Sequence, residues 1–249
     1  MQSDSSSAVR SLRPLFYIVA AALALALAAG TGFAAKAKKH SKTQKTKPAA
    51  ADVESAPAAA SMTPSKPPAG SSPKADLQKS NALLKKLFSK ASPSWSPEHD
   101  AKRLQMRKIV NGFLDFEELA HRALARHWEE ITPEQRSEFV SVLRDLIERN
   151  YIRQVHGQPN YQLHFSKETI TGSEGSVAAT LETSNRGKKV TVEMVYKLLY
   201  KGDRWLVYDV VTDEQSMLEN YRAEFNKIIT KESFDALLKR MKKRLEKTD

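Results

Sequence analysis

Residues 114–155, LDFEELAHRALARHWEEITPEQRSEFVSVLRDLIERNYIRQV, carry two helical patterns separated by one turn signal. Asp115 with Glu118 three positions later predicts the start of the first helix, because a short carboxylate can accept hydrogen bonds from first-turn amides. Thr132 with Gln135 predicts the start of the second helix in the same way. Apolar residues recur every three or four positions in both, which is typical of a helix that buries one face. The residues that share this face are Phe116, Leu119, Ala120, Ala123, Leu124, His127 and Trp128 in the first helix and Phe139, Val142, Leu143, Leu146, Asn150 and Tyr151 in the second.

The chain after Gly157 has a different pattern, in which apolar and polar residues alternate. Such alternation is typical of a strand with one buried face, and turn residues at 172–175, 185–187 and 201–203 separate the runs. Short consecutive runs with tight turns predict an antiparallel meander of about four or five strands. Together with the helical patterns on either side, this predicts an α+β fold whose sheet is covered by helices on one side. The alternating positions are Tyr161, Leu163 and Phe165; Val177, Ala179 and Leu181; Val190, Val192, Met194, Tyr196, Leu198 and Tyr200; and Trp205, Val207 and Asp209.

Further helices are predicted on both sides of these patterns. Residues 76–89 and about 98–111 read as two helices separated by Pro93 and Pro97, and Ser216 predicts the start of another. Residues 230–249 read as a last amphipathic helix with one strongly basic face. Because basic residues near a helix C-terminus complement its dipole, this face is either ordinary helix chemistry or a docking surface. Its members are Lys239, Arg240, Lys242, Lys243, Arg244 and Lys247.

The order of residues in these elements resembles the MlaC family of periplasmic phospholipid-binding proteins, also called toluene-tolerance auxiliary proteins. The first block, residues 115–139, reads D-F-x-x-L-A-x-x-A-L-x-x-H-W-x-x-I-T-P-E-Q-R-x-E-F. The second block contains W-L-V-Y-D-V at residues 205–210 and S-x-x-x-N-Y-R-x-x-F at residues 216–225. Both blocks stand in the order typical of the family, and the resemblance extends over most of residues 100–245.

The chain departs from the family pattern at three places. The family usually has Gly after the residue that corresponds to Leu124, where this chain has Ala125. In a helix interior Ala is more stable than Gly by about 0.5–1 kcal/mol, so we expect no weakening of the helix. The other departures, at residues 212–215 and 231–233, concern turn geometry.

The resemblance implies a deep apolar pocket between sheet and helices that encloses the acyl tails of a phospholipid, with the head group at the mouth in water. It also implies partners: an inner-membrane ABC transporter complex with an MCE-domain subunit and an outer-membrane lipoprotein complex. Carrying phospholipid between them would maintain the lipid asymmetry of the outer membrane, without a cofactor, a metal or catalysis. The expected pocket residues are Val177, Ala179, Leu181, Met194, Tyr196 and Leu198 on the sheet, facing Phe139, Leu143, Tyr151, Leu218, Tyr221 and Phe225 on the helices.

The N-terminal 75 residues differ in composition from the rest. Arg10 and Arg13 precede an apolar run at residues 15–29 and small residues up to Ala35, which predicts a secretory signal peptide over residues 1–35. The run is shorter than the ~20 residues that span a bilayer, which favours a cleaved signal over a membrane anchor. Residues 36–75 are rich in Lys, Ala, Ser, Thr and Pro, which predicts a disordered linker before a folded domain at residues 76–249.

Charge and cysteine content narrow the functional classes. The formal net charge is +11, and the ten basic and three acidic residues up to position 75 account for +7 of it. A basic tail suits nucleic acid or an anionic surface, but a secretory signal argues against nucleic acid. The absence of cysteine excludes disulfides, thiol catalysis and zinc sites built on cysteine.

The sequence offers little support for catalysis. No nucleophile, phosphate-loop, dinucleotide or zinc-protease motif is present, and the six histidines lack ligand spacing. His127 lies on the apolar stripe, which predicts a hydrogen-bonded core residue. Asp209 is the one carboxylate with catalytic potential, but structural pairing, for example with Arg222, is the better interpretation. The alternatives to a carrier are an isomerase- or dehydratase-like enzyme with a cone-shaped sheet and a module that tethers the cell envelope through the Lys-rich linker.

Overall fold

The computed structural model describes residues 63–88, 97–155, 161–185 and 188–246. The predicted signal peptide and most of the predicted linker lie outside these ranges. Within them the helices are α1 (Pro73–Phe88), α2 (Pro97–Phe113), α3 (Phe116–Leu124), α4 (Pro133–Val155), α5 (Met217–Lys231) and α6 (Phe234–Glu246), with a 3-10 turn at Ala125–Trp128. The strands are β1 (Tyr161–Thr171), β2 (Glu174–Asn185), β3 (Lys188–Lys201), β4 (Arg204–Thr212) and β5 (Gln215–Ser216). None of the helices described has the length and apolarity needed to cross a membrane.

The five strands form one antiparallel sheet in the order β1-β2-β3-β4-β5, which confirms the predicted meander and the α+β class. On β2 and β3, buried positions alternate with more exposed ones, so one face of these strands is covered. On β4, residues 205–210 are all buried, so this strand is covered on both faces. We call the covered face of β1–β3 the inner face and the opposite one the outer face.

The predicted helix starts are confirmed by their hydrogen bonds. The amide of Glu118 donates to Asp115 Oδ1 at 2.9 Å. Thr132 and Gln135 form a reciprocal capping box, with amide-to-side-chain distances of 3.0 and 3.3 Å. These bonds satisfy amides that have no partner inside the helix, which is why the start signals can be recognised in the sequence.

The folded part begins before the boundary at residue 76 that composition suggests. Ser65 donates its amide to the carbonyl of Tyr200 at 3.0 Å, and the Trp205 indole donates to Ser71 Oγ at 2.8 Å. Residues 64–75 are therefore attached to the end of the sheet formed by β3 and β4. The attachment depends on polar contacts to residues over a hundred positions away, which a compositional argument does not detect.

The first predicted helix is interrupted at Ala125, contrary to the sequence prediction. Helix α3 ends at Leu124, and Ala125 has φ 48° and ψ −121° before the chain enters the 3-10 turn. A side chain is strained in this backbone region, which glycine enters without penalty. The expectation that Ala is favourable here because it lies in a helix interior was therefore wrong.

We expect Ala125→Gly to raise the free energy of unfolding by about 1 kcal/mol. Relief of a backbone strain of about 1–3 kcal/mol outweighs the entropy that glycine adds to the unfolded chain. The matched control is Ala123→Gly in the interior of α3, which should be destabilising by at least ~0.5–1 kcal/mol. Urea unfolding of both variants tests this, and a loss of stability in both would contradict the assigned backbone strain.

Candidate functional site

Six of the predicted pocket residues lie on the inner face of β2 and β3. Val177 pairs with Tyr196 and Ala179 with Met194 in the register of β2 and β3, so each pair adds two adjacent side chains to the same face. The preceding and following residues on these strands are mostly more exposed, as expected for a sheet buried on one side. The exposed fractions of Val177, Ala179, Leu181, Met194, Tyr196 and Leu198 lie between 0 and 9%.

The predicted helix residues lie on α4 and α5, where aromatic rings contact one another. The ring of Phe139 meets Phe225 edge to face with centroids 5.4 Å apart, and Phe225 stacks on Tyr221 at 5.4 Å. Phe139 also lies 5.8 Å from Phe234 of α6. These rings therefore hold the three helices together as well as contributing apolar surface. The side chain of Tyr151 lies outside the described part.

The remaining eleven predicted residues all belong to one continuous buried cluster. The structure thus brings the sheet residues and the helix residues, including Leu143 and Leu218, into the same apolar interior. This interior is large, since its members come from all six helices described and from strands β2–β4.

The inner face of β1 is less covered than that of its neighbours. Leu163 pairs with the buried Leu181 and Phe165 with the buried Ala179, yet Tyr161, Leu163 and Phe165 are only partly buried. The apolar interior therefore extends to the protein surface along β1. The alternation of these three residues predicts their face but not their place in the site, because alternation indicates a face and not its degree of coverage.

Helix α1 borders this exposed part of the inner face. The Tyr161 hydroxyl donates to Asn81 Oδ1 at 3.3 Å, and the Lys85 ammonium lies 5.5 Å from the centroid of the Tyr161 ring. Deeper in the interior, burial raises the pKa of the Tyr196 phenol, and Tyr161 nearby raises it further. Tyr196 therefore keeps its proton at neutral pH and remains a hydrogen-bond donor.

A groove of about 500 Å³ lies elsewhere, on the outer face near the turn between β4 and β5. It is open to solvent and bordered by acidic side chains, so it is poorly suited to enclose a hydrocarbon chain. It is distinct from the interior described above, although Met194 contributes to both. Its lining residues are Ala178, Glu193, Met194, Val195, Val211, Asp213 and Glu214.

Asp209, the carboxylate considered for catalysis, has a structural role. It is fully buried and accepts hydrogen bonds from the amide of Leu218 at 3.0 Å and from Ser216 Oγ at 2.8 Å. Its ion pair is with Lys197 at 3.3 Å, so the predicted pairing with Arg222 was wrong. Arg222 instead donates to the Arg122 carbonyl at 3.1 and 3.0 Å. Asp209 thereby anchors the start of α5 to the sheet.

His127 is a buried structural residue, as its position on the apolar stripe suggested. Its Nδ1 lies 2.7 Å from Glu130 and its Nε2 lies 3.0 Å from Asn226 Oδ1. The second contact connects the 3-10 turn to α5 across 99 positions of sequence. Within the part of the chain that the structure describes, acidic and histidine side chains do not group in threes as a metal site would require.

A buried charge network joins α3 to the end of β3. Lys201 Nζ lies 2.9 Å from Asp115 Oδ2 and 3.2 Å from Glu118 Oε2, and these three side chains are 7, 6 and 14% exposed. Arg122 Nε donates to Glu118 at 2.6 Å, and its guanidinium lies 4.0 Å from the centroid of the Tyr208 ring. The network fixes α3 beside the hairpin of β3 and β4.

Comparisons with known proteins agree with this architecture. The family model described as MlaC protein matches residues 78–243, which is more than half of the chain. The intermembrane phospholipid transport system binding protein MlaC of Haemophilus influenzae is 23% identical over 141 residues, or 56% of this chain. That match spans 66% of the relative, just under two thirds of its length.

A solved structure has a similar fold. It is the phospholipid-binding protein from Ralstonia solanacearum in complex with a phospholipid, and it superposes with a TM-score of 0.59. The superposition covers 72% of this chain and 99% of that chain at 18% sequence identity, which demonstrates a common fold. Taken with the family-model match, these comparisons confirm the resemblance noted in the sequence: the chain belongs to the MlaC family.

Proposed function

We propose that this protein is a periplasmic phospholipid carrier that holds acyl tails in its apolar interior. The main support is the inner face of β2 and β3, which is buried under helices and continues to the surface along β1. Membership of the MlaC family and a common fold with a protein solved in complex with a phospholipid support the same function.

The energetics of burial explain how such a carrier can both load and unload. Burying one CH₂ group from water contributes about 0.8 kcal/mol, so two acyl chains together would exceed the ceiling of about 18–21 kcal/mol for non-covalent affinity. The donor is therefore a membrane or another lipid-binding protein, where the tails are already out of water. Transfer from one apolar environment to another has a small net free energy and is reversible.

In the proposed carrier function, partner proteins determine the direction of transport. An inner-membrane ABC transporter complex with an MCE-domain subunit supplies the energy at one end, and an outer-membrane lipoprotein complex exchanges lipid at the other. The outcome is the lipid asymmetry of the outer membrane, and the predicted signal peptide at residues 1–35 delivers the chain to the periplasm. Asp209 is buried and bonds to Ser216 and to the Leu218 amide, and this structural role favours a carrier over a cone-fold enzyme.

Analysis of co-purifying lipid tests the proposal most directly. Native mass spectrometry and solvent extraction of the purified full chain should show diacyl phospholipid in stoichiometric amount, because no aqueous competitor displaces buried tails. After delipidation, the protein should take phospholipid from vesicles. Protein that is purified without lipid and also fails to extract it from vesicles would exclude the carrier function.

A further inference from the structure

We propose that the partly buried inner face of β1, where α1 borders it, is the entrance to the lipid-binding interior, and that Lys85 binds the phosphodiester of the head group there. This inference rests on the proposed carrier function and assigns to it an entrance and a residue that recognises the phosphate.

Burial decreases across the inner face from β2 to β1. Leu181 and Ala179 on β2 are 3 and 1% exposed, whereas their direct partners Leu163 and Phe165 on β1 are only partly buried. Adjacent side chains on one sheet face normally share the same cover, so the cover of helices ends at β1. An acyl chain entering there moves along a continuous apolar surface from Phe165 to Tyr196, whose rings lie 6.1 Å apart.

Helix α1 places polar side chains beside this partly buried face. Leu84 is 5% exposed and belongs to the buried cluster, while Asn81 and Lys85 on the same side of the helix reach Tyr161. Positions 81, 84 and 85 are neighbours on one helical face because they are three and four residues apart. Polar groups thus border the apolar interior at its exposed end, which matches the order of head group and tails in a phospholipid.

The positive charge of Lys85 indicates which part of the lipid it contacts. Among the side chains described, no carboxylate forms an ion pair with Lys85, so its charge is available to an anionic ligand. An ammonium group is a point charge with three hydrogen-bond donors. It binds phosphate oxygens whatever alcohol is esterified to the phosphate. Lys85 should therefore recognise the phosphodiester that all diacyl phospholipids contain, whichever alcohol is attached to it.

Uptake of matched lipids tests the role of Lys85. Delipidated full-chain protein is incubated with phosphatidylcholine vesicles that contain either phosphatidylglycerol or diacylglycerol with identical acyl chains, and bound lipid is quantified. Wild type should prefer the phosphate-bearing lipid, and Lys85→Gln should reduce that preference by up to about fivefold, as for a solvent-accessible ion pair. Lys85→Glu should reduce it further through repulsion.

The matched control is Lys79→Glu, an exposed site on the same helix, which should retain the preference. An equal loss in Lys79→Glu and Lys85→Glu would indicate a general effect of surface charge and would overturn the assignment, as would unchanged Lys85 variants. If wild type takes up no lipid at all, the host phosphatidylcholine included, the carrier function itself fails, which is a separate result.

Site-specific blocking tests the position of the entrance, and the absence of cysteine makes it possible. Leu163→Cys and His164→Cys place a single thiol on adjacent residues that lie on opposite faces of β1. Labelling with a bulky maleimide should slow lipid uptake in the Leu163 variant and leave the His164 variant at the wild-type rate. Unlabelled samples and thermal melts check folding. Equal rates for both labelled variants would place the entrance elsewhere.

Discussion

Lys201→Met is expected to lower the free energy of unfolding by about 3–5 kcal/mol. The ammonium of Lys201 lies between Asp115 and Glu118, and all three side chains are largely shielded from water. Asp115 Oδ2 has no hydrogen-bonding partner in the described structure apart from this ion pair. Removing the cation leaves Asp115 without its counter-charge in a poorly solvated site and leaves Glu118 with Arg122 alone, which is far more costly than losing an exposed pair.

The same network makes the effect of Lys201→Met dependent on pH. Burial on its own raises the pKa of Glu118, but hydrogen bonding to Arg122 and the charges of Lys201 and Arg122 outweigh it, so the pKa lies below its ordinary value. A lowered pKa means that Glu118 stabilises the native state above its ordinary pKa, and that this contribution disappears as the pH falls through the lowered value. The difference between wild type and variant should therefore shrink as the pH falls through this lowered value, because a protonated Glu118 carboxyl needs no counter-charge.

Urea unfolding at neutral and acidic pH measures both effects. The matched control is Lys189→Met, which lies on the same strand and removes an exposed pair with Glu182 at 3.0 Å. Exposed pairs contribute about 0–1 kcal/mol, so this variant should remain close to wild type. Similar small losses in both variants would show that the Lys201 network is not a major source of stability.

Ala179→Phe is expected to abolish lipid binding while the protein remains folded. Ala179 is 1% exposed at the centre of the inner face, between Phe165 on β1 and Met194 on β3. A phenyl group there occupies the volume that an acyl chain needs. If the interior is hollow, the ring buries additional apolar surface with little strain, whereas in a solid interior overpacking costs about 1–3 kcal/mol.

Two measurements on one sample separate these cases: phospholipid per protein after purification, and urea unfolding of the delipidated form. Delipidation is needed because bound ligand itself raises stability by mass action. The matched control is Ala178→Phe, the adjacent residue on the outer face, which should retain its lipid. Ala179→Phe protein that carries a full complement of phospholipid would contradict the proposed location of the tails.

Local signals predicted much of the fold, because their partners lie within one helical turn. The capping residues Asp115, Thr132 and Ser216 bond to amides three positions later, so each helix start could be recognised without knowledge of the tertiary structure. The alternation on β2 and β3 likewise predicted the buried face, since successive side chains on a strand point to opposite sides.

Sequence reasoning failed where distant contacts override local preference. The apolar spacing continues through His127 and Trp128, but the helix ends at Leu124 because Ala125 adopts a positive φ. That conformation is held by contacts from α5, where Asn226 meets His127 and Arg222 meets the Arg122 carbonyl. These partners lie about a hundred positions further along the sequence, so no local pattern predicts the contacts.

The primary sequence thus determined most helices, the strands and the buried face of the sheet, because short-range hydrogen bonding and periodic burial encode them. The family followed from the resemblance of the two blocks at residues 115–139 and 205–225. The tertiary structure alone decided that Phe139 and Phe225 bind helices to one another, and that the inner face is incompletely covered at β1. It also brought Lys85 to the ring of Tyr161. Such features arise from how elements far apart in the chain are packed, and a periodic pattern records only that a side chain is buried and not which neighbours surround it.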